Sequence, residues 1–162
     1  MAYDFIKEYA IDYTSFYYDE KVIDNINIFQ ATYKGMHKAL DQLLVTPEHI
    51  LVDGHMFKPY LDNKEGDFVP HKCVIEGDNK YLSIAAASIL AKESRDNYMI
   101  DLCNEFEDYK KYGWEKNKGY ATKQHREALM VYGLTKYHRQ TFGICKRMLR
   151  ENKMHQLNKQ NK

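Results

Sequence analysis

The sequence is poor in proline and cysteine, with three of each, and has a single tryptophan in 162 residues. No window approaches 18 uninterrupted apolar residues, which excludes a membrane-spanning helix. The three cysteines, Cys73, Cys103 and Cys145, are an odd number at wide spacings. They form neither a disulfide framework nor a zinc-ligand pattern, and they suit a reducing cytosol. The opening MAYDFIKEYA is acidic and mixed, whereas a secretory leader is basic and then apolar, so a cytoplasmic protein is expected. Internal repeats and low-complexity blocks are also lacking. Apolar residues make up 44% of the chain and charged residues 29%. That balance supports a packed core, and the length suits one domain.

What is present is unevenly distributed. The net charge of +1 conceals a division: residues 1–109 carry 10 Lys/Arg against 20 Asp/Glu, and residues 110–162 carry 14 against 3. Such asymmetry points to a polyanionic partner, with the acidic part suited to metal and the basic part to phosphate. The alternative for the C-terminal lysines is a merely solvated tail. The 14 tyrosines read mainly as packing residues.

Local patterns predict alternating helices and short strands. Residues 2–9 read as a short helix. Residues 11–18 alternate among β-branched and aromatic types and read as a strand. Asn27 opens a helix, with Gln30 as the capping-box partner, that runs to Thr46-Pro47. Ile50-Leu51-Val52 is a short buried strand running into Asp53-Gly54. Residues 54–70 read as a loop, and Cys73-Val74-Ile75 as a second strand ending near Gly77-Asp78. A long helix begins at Ser83, with small residues early. Residues 109–120 read as a loop, Thr122 caps a helix that Gly133 stops, and the chain from Lys146 is a helix end that frays.

Two features carry chemistry. Asp53 and Asp78 each follow an apolar strand, where α/β folds gather catalytic groups. Two carboxylates converging there form an oxygen-only site suited to Mg²⁺ or Mn²⁺ rather than zinc. The competing reading of an Asp-Gly after a strand is a simple turn. The second feature is the run KKYGWEKNKGYATKQHR, in which Tyr112, Trp114 and Tyr120 interleave with Lys110, Lys111, Lys116, Lys118, Lys123 and Arg126. Cations neutralise phosphates and aromatic faces stack on bases or sugars. Gly119 lets backbone approach a nucleic-acid strand. The bland alternative is a surface loop anchored to the core by its aromatics. His125 and His138 read as structural.

Taken together, Ile50-Leu51-Val52-Asp53-Gly54, Glu76-Gly77-Asp78, Ser83 to Lys92 (SIAAASILAK) and Arg95-Asp96 resemble the ribonuclease HII family, type 2 ribonuclease H. Tyr112-Gly113, Lys118-Gly119-Tyr120, Thr122, His125, His138-Arg139 and Phe142 follow in the family's order, as do Ile23-Asp24 and Asn27 to Thr32 upstream. The resemblance covers residues 3–148. It implies a ribonuclease H-like α/β fold with a helical C-terminal extension. The activity it implies is a hydrolase: an endonuclease that cuts the RNA strand of RNA–DNA hybrids, including ribonucleotides embedded in DNA, in replication and repair.

On that resemblance Asp53 and Asp78 match the family's third and fourth metal carboxylates, in a site expected to hold two Mg²⁺ or Mn²⁺ ions. Tyr120 matches the tyrosine that packs on the sugar at the RNA-to-DNA junction. Lys118, Gly119 and Arg139 are expected at the nucleic acid, and Ser88, Lys92 and Arg95 near its backbone. A monomer is expected, with residues 1–148 as the catalytic domain and 149–162 as a basic, disordered tail.

The family's Asp-Glu-Ala-Gly-Arg-Gly signature, which supplies the first two carboxylates, does not occur in the sequence. The fold is accordingly expected to be incomplete at the N-terminus and activity alone to be impaired. A separate N-terminal portion of the same enzyme is a candidate partner. A non-catalytic hybrid-binding remnant, and a fragment that does not fold alone, are the competing readings. The central expectation is that Asp53 and Asp78 lie close together beside a cationic groove.

Overall fold

A computed structural model describes residues 2–160, and these are mixed α/β. In chain order the elements are α1 (Ala2–Tyr9), α2 (Glu20–Ile26), α3 (Ile28–Asp41), β1 (Ile50–Asp53), β2 (Tyr60–Leu61), β3 (Phe68–Val69) and β4 (His71–Val74). A 3₁₀ turn (Gly77–Asn79) leads into α4 (Leu82–Glu105). A second 3₁₀ segment (Glu107–Tyr112) then precedes α5 (Trp114–Asn117), α6 (Lys123–Tyr132) and α7 (Gly143–Gln160). The chain forms two compact units: residues up to Tyr17 with Thr32–Tyr98, and Tyr18–Ala31 with Met99 onward.

In the first unit β1 and β4 pair in parallel, Ile50 opposite His71 and Asp53 opposite Val74. Parallel pairing requires a long crossover, here residues 54–70, which carry the antiparallel β2–β3 ladder with Tyr60 opposite Val69. Period-two alternation along β1 sends Ile50 and Val52 into a small core with Tyr60 and Val69, flanked by Leu40, Phe57 and Cys73. Asp53 therefore points away from that core. The Tyr60 hydroxyl donates to Asp41 at 3.1 Å. Burial, with Asp41 and Asp62 nearby, pushes that phenol up to about 12.

The second unit packs around Trp114, Tyr112, Leu129 and Cys103, the most deeply buried side chains, with Leu102, Ala128 and Cys145 around them. Thr122 caps α6 by accepting the His125 N–H, and Gly133 ends that helix at φ 77°. Both termini are where the sequence puts them. Asn27 likewise accepts the Gln30 N–H at 3.1 Å to open α3.

Several elements differ from the sequence reading. Residues 11–18 lie outside the strands. Their polar groups bind the last turn of α3 and the chain beyond it instead: the Asp12 carboxylate accepts the Leu44 and Val45 N–H groups, and the Thr14 hydroxyl donates to the Ala39 carbonyl. Alternation alone does not make a strand without a ladder partner. The donors that Asp12 binds lie just past the end of α3, which stops at Asp41, before Thr46-Pro47. α2, capped by Asp19 accepting the Val22 N–H, is an unforeseen helix. Residues 109–120 hold the second 3₁₀ segment and α5 where a loop was expected. Residues 149–160 continue α7, whose side chains are exposed from Arg150 to Lys159.

Candidate functional site

β1 delivers Asp53 to its last position, and β4 leads through Ile75 and Glu76 to Asp78. Glu76 takes a left-handed conformation, φ 52° and ψ 46°, which closes the chain into the 3₁₀ turn carrying Asp78. That turn brings the Gly77 N–H to Asp53 Oδ1 at 2.8 Å. The two strand ends are thus tied through the carboxylate of one and the backbone adjoining the other. Asp53 and Asp78 are both exposed. The Asp53 bond engages one oxygen only, and Asp78 enters no hydrogen bond or ion pair among the described residues.

Two exposed carboxylates are a hard, anionic donor set that fits Mg²⁺ or Mn²⁺. Among the described residues no group of three His, Cys, Asp or Glu side chains converges as a metal site.

Gly77 is a steric requirement of this arrangement. A methyl group there would stand 2.6 Å from Ile84 Cδ1 and 3.3 Å from Asp53 Oδ1. Gly77→Ala is expected to destabilise the chain by about 1–3 kcal/mol and to displace the Asp53 carboxylate. Denaturant unfolding and Mn²⁺ titration of the variant measure the two effects separately.

Ser88, Lys92 and Arg95 are exposed on α4, and their spacing of four and three residues aligns them on one face. Lys92 is held by Asp96 at 2.9 Å, with Glu93 at 3.7 Å. Asp96 raises its ammonium above the usual lysine range. Arg95 also lies 3.6 Å from Asp96.

In the second unit the aromatics of the Lys-rich run part company. Tyr112 and Trp114 are each 1% exposed and stack with ring centres 5.2 Å apart, so they anchor the segment to the core. Tyr120 is 61% exposed. It follows a turn in which Lys118 and Gly119 are both left-handed, at φ 50° and 77°. Buried Asn117 builds the turn: its Oδ1 accepts the Gly119 N–H at 2.9 Å, and its Nδ2 donates to the Tyr112 carbonyl at 2.8 Å.

Arg139 lies over the Phe142 ring at 4.5 Å. Its neighbours are fixed by Asp24, which accepts the Gln140 N–H, the Thr141 N–H and the Thr141 hydroxyl. Burial opposes the Asp24 charge, but the Thr141 and Gln140 donors outweigh it and hold the carboxyl below its usual range. The sequence placed Asp24 only in a matching stretch; its partners lie 116 and 117 residues away.

His125 and His138 are buried and bonded to each other, Nε2 to Nε2, at 3.2 Å. Burial, then repulsion from His125, pushes the His138 imidazole down to about 4. A depressed histidine binds its proton in the unfolded chain first, so the stability it contributes is complete above 6.5 and is lost as pH falls toward 4. The expected loss across that window is about 3 kcal/mol. Urea unfolding at pH 7 and pH 4.5 measures it, and His138→Gln should flatten the difference.

A family profile described as Ribonuclease HII matches residues 3–148. The chain belongs to the ribonuclease HII family. Its mixed α/β order with a small parallel sheet is consistent with a ribonuclease H-like fold. The chain is 50% identical over 139 residues to a Ribonuclease HII of Christiangramia forsetii, covering 86% of this chain and 66% of the relative. It is 53% identical over 127 residues to that of Parabacteroides distasonis, covering 78% and 59%. With that of Bacteroides thetaiotaomicron it shares 54% over 122 residues, covering 75% and 56%. The matched chain thus spans just over half to about two thirds of these ribonuclease HII relatives. No helix among the described residues is long and apolar enough to cross a membrane.

Proposed function

We infer that this chain is a ribonuclease HII component, an endonuclease acting on the RNA strand of RNA–DNA hybrids and on ribonucleotides embedded in DNA. The observation that supports the reading is the Asp53 Oδ1 to Gly77 N–H bond, which ties the carboxylate at the end of β1 to the backbone of the residue before Asp78. Asp53 and Asp78 hold Mg²⁺ or Mn²⁺. When bound, the metal stabilises charge building on the scissile phosphate and activates water.

Tyr120, presented by the Lys118–Gly119 turn, stacks on the sugar at the RNA-to-DNA junction, where the 2′-hydroxyl distinguishes the two nucleic acids. Lys118 and Arg139 contact phosphate, which gives affinity without base preference. Gly119 admits the strand closely. Ser88, Lys92 and Arg95 offer further backbone contacts from α4. Residues 1–148 do this work, and the basic segment 149–162 adds affinity for DNA. The protein acts as a monomer in the cytoplasm, in replication and repair.

The two carboxylates bind an ion weakly without others, so cleavage by this chain alone is low, and a separate portion bearing the Asp-Glu signature restores it. The test is a labelled duplex carrying one ribonucleotide, with Mn²⁺. It is incubated with the chain alone and with the part of the Christiangramia forsetii relative that this chain does not match. Cleavage that appears on mixing supports the reading. Tight binding of the hybrid with no cleavage in either case replaces it with the binding-module reading.

A further inference from the structure

The hydrogen-bond chain behind Tyr120 has only one consistent direction. The Thr135 N–H donates to His138 Nδ1 at 2.9 Å, so in the neutral ring that nitrogen carries no proton and His138 is protonated on Nε2. The indole N–H of Trp114, a donor only, reaches His125 Nε2 at 3.2 Å, and His138 Nε2 reaches the same atom at 3.2 Å. His125 Nε2 is therefore an acceptor twice over, and its own proton sits on Nδ1. That N–H faces the Tyr120 carbonyl at 3.0 Å. The same carbonyl accepts the Thr122 N–H at 2.8 Å.

We propose that His125 is a positioning residue for hybrid recognition: its Nδ1–H fixes the Tyr120 backbone, and His138 with Trp114 fixes the tautomer that makes this bond possible. The inference rests on the reading of Tyr120 as the junction contact. Two φ-positive residues precede Tyr120, so its ring direction depends on how the backbone beyond that turn is held. An exposed ring held from a buried base reaches the nucleic acid with less ordering to be done on binding. His125 touches no nucleic acid in this scheme; it is 5% exposed.

The test uses the full chain and two duplexes, one with a single RNA-to-DNA junction and one all DNA, followed by fluorescence anisotropy. Tyr120→Ala is expected to abolish the preference for the junction. His125→Leu is expected to reduce that preference by about three- to tenfold, the worth of one hydrogen bond, with all-DNA affinity nearly unchanged. His125→Asn, which keeps an N–H near the Nδ1 position, is expected to recover part of the preference.

If Tyr120→Ala leaves the preference intact, the junction reading fails, whatever His125 does. If Tyr120→Ala removes it and folded His125→Leu retains it, the positioning role is overturned. A measurement on the unsubstituted chain keeps the proposal testable should His125→Leu not fold. Nitrogen NMR of the histidine rings is expected to show His125 protonated on Nδ1 and His138 on Nε2. An Nε2–H tautomer at His125 overturns the assignment.

Discussion

Asp53→Asn and Asp78→Asn are each expected to lower cleavage of the ribonucleotide-bearing duplex by at least about a hundredfold, measured on the chain mixed with the unmatched part of its relative. The two substitutions differ structurally. Asn at 53 keeps an Oδ1 that can accept the Gly77 N–H, now at 2.8 Å, and removes only the charge. Asp53→Ala removes both, so it should also loosen the turn carrying Asp78. Unfolding midpoints close to the unsubstituted chain for Asp53→Asn, with a lower one for Asp53→Ala, separate the metal role from the structural one. If Asp53→Asn cleaves at the unsubstituted rate, the carboxylate is only a turn-forming group.

Trp114→Ala is expected to cost about 3–5 kcal/mol, the usual range for deleting a buried tryptophan. The indole is 1% exposed and packs on Tyr112, Tyr109 and His138 while its N–H is bonded to His125. The substitution opens a cavity and removes one of the two donors that reach His125 Nε2. Trp114→Phe refills most of the volume and should cost less, because only the donor is lost. Denaturant unfolding followed by circular dichroism measures both variants. A cost under about 1 kcal/mol for Trp114→Ala would contradict the burial on which the second unit is built.

The place of Asp53 at the end of β1 and of Asp78 in the turn beyond β4 was legible because the signal is local. Each aspartate follows a short apolar run, and strand ends present polar residues at fixed places. The caps of α3 and α6 were legible for the same reason: Asn27 and Thr122 act on N–H groups three residues away. The reading of 11–18 failed because a strand is defined by its partner, and Asp12 and Thr14 spend their hydrogen bonds on the chain at and beyond the end of α3. The Lys-rich run could not be divided from composition, since burial of Tyr112 and Trp114 and exposure of Tyr120 depend on which residues α6 and the second 3₁₀ segment bring inward. The direction of the histidine chain was invisible for a similar reason. It is fixed by donors on Thr135 and Trp114 that converge only after folding.

The sharing of one divalent ion by Asp53 and Asp78 is tested most directly by paramagnetic broadening by Mn²⁺ in amide NMR spectra of the 162-residue chain. The expected result is that Gly54, Gly77, Asp78 and Asn79 broaden first, that Mg²⁺ reverses the effect, and that the Asp53→Asn, Asp78→Asn double variant abolishes it. Broadening that begins instead at the Asp41 and Asp62 carboxylates, or that persists in the double variant, contradicts it.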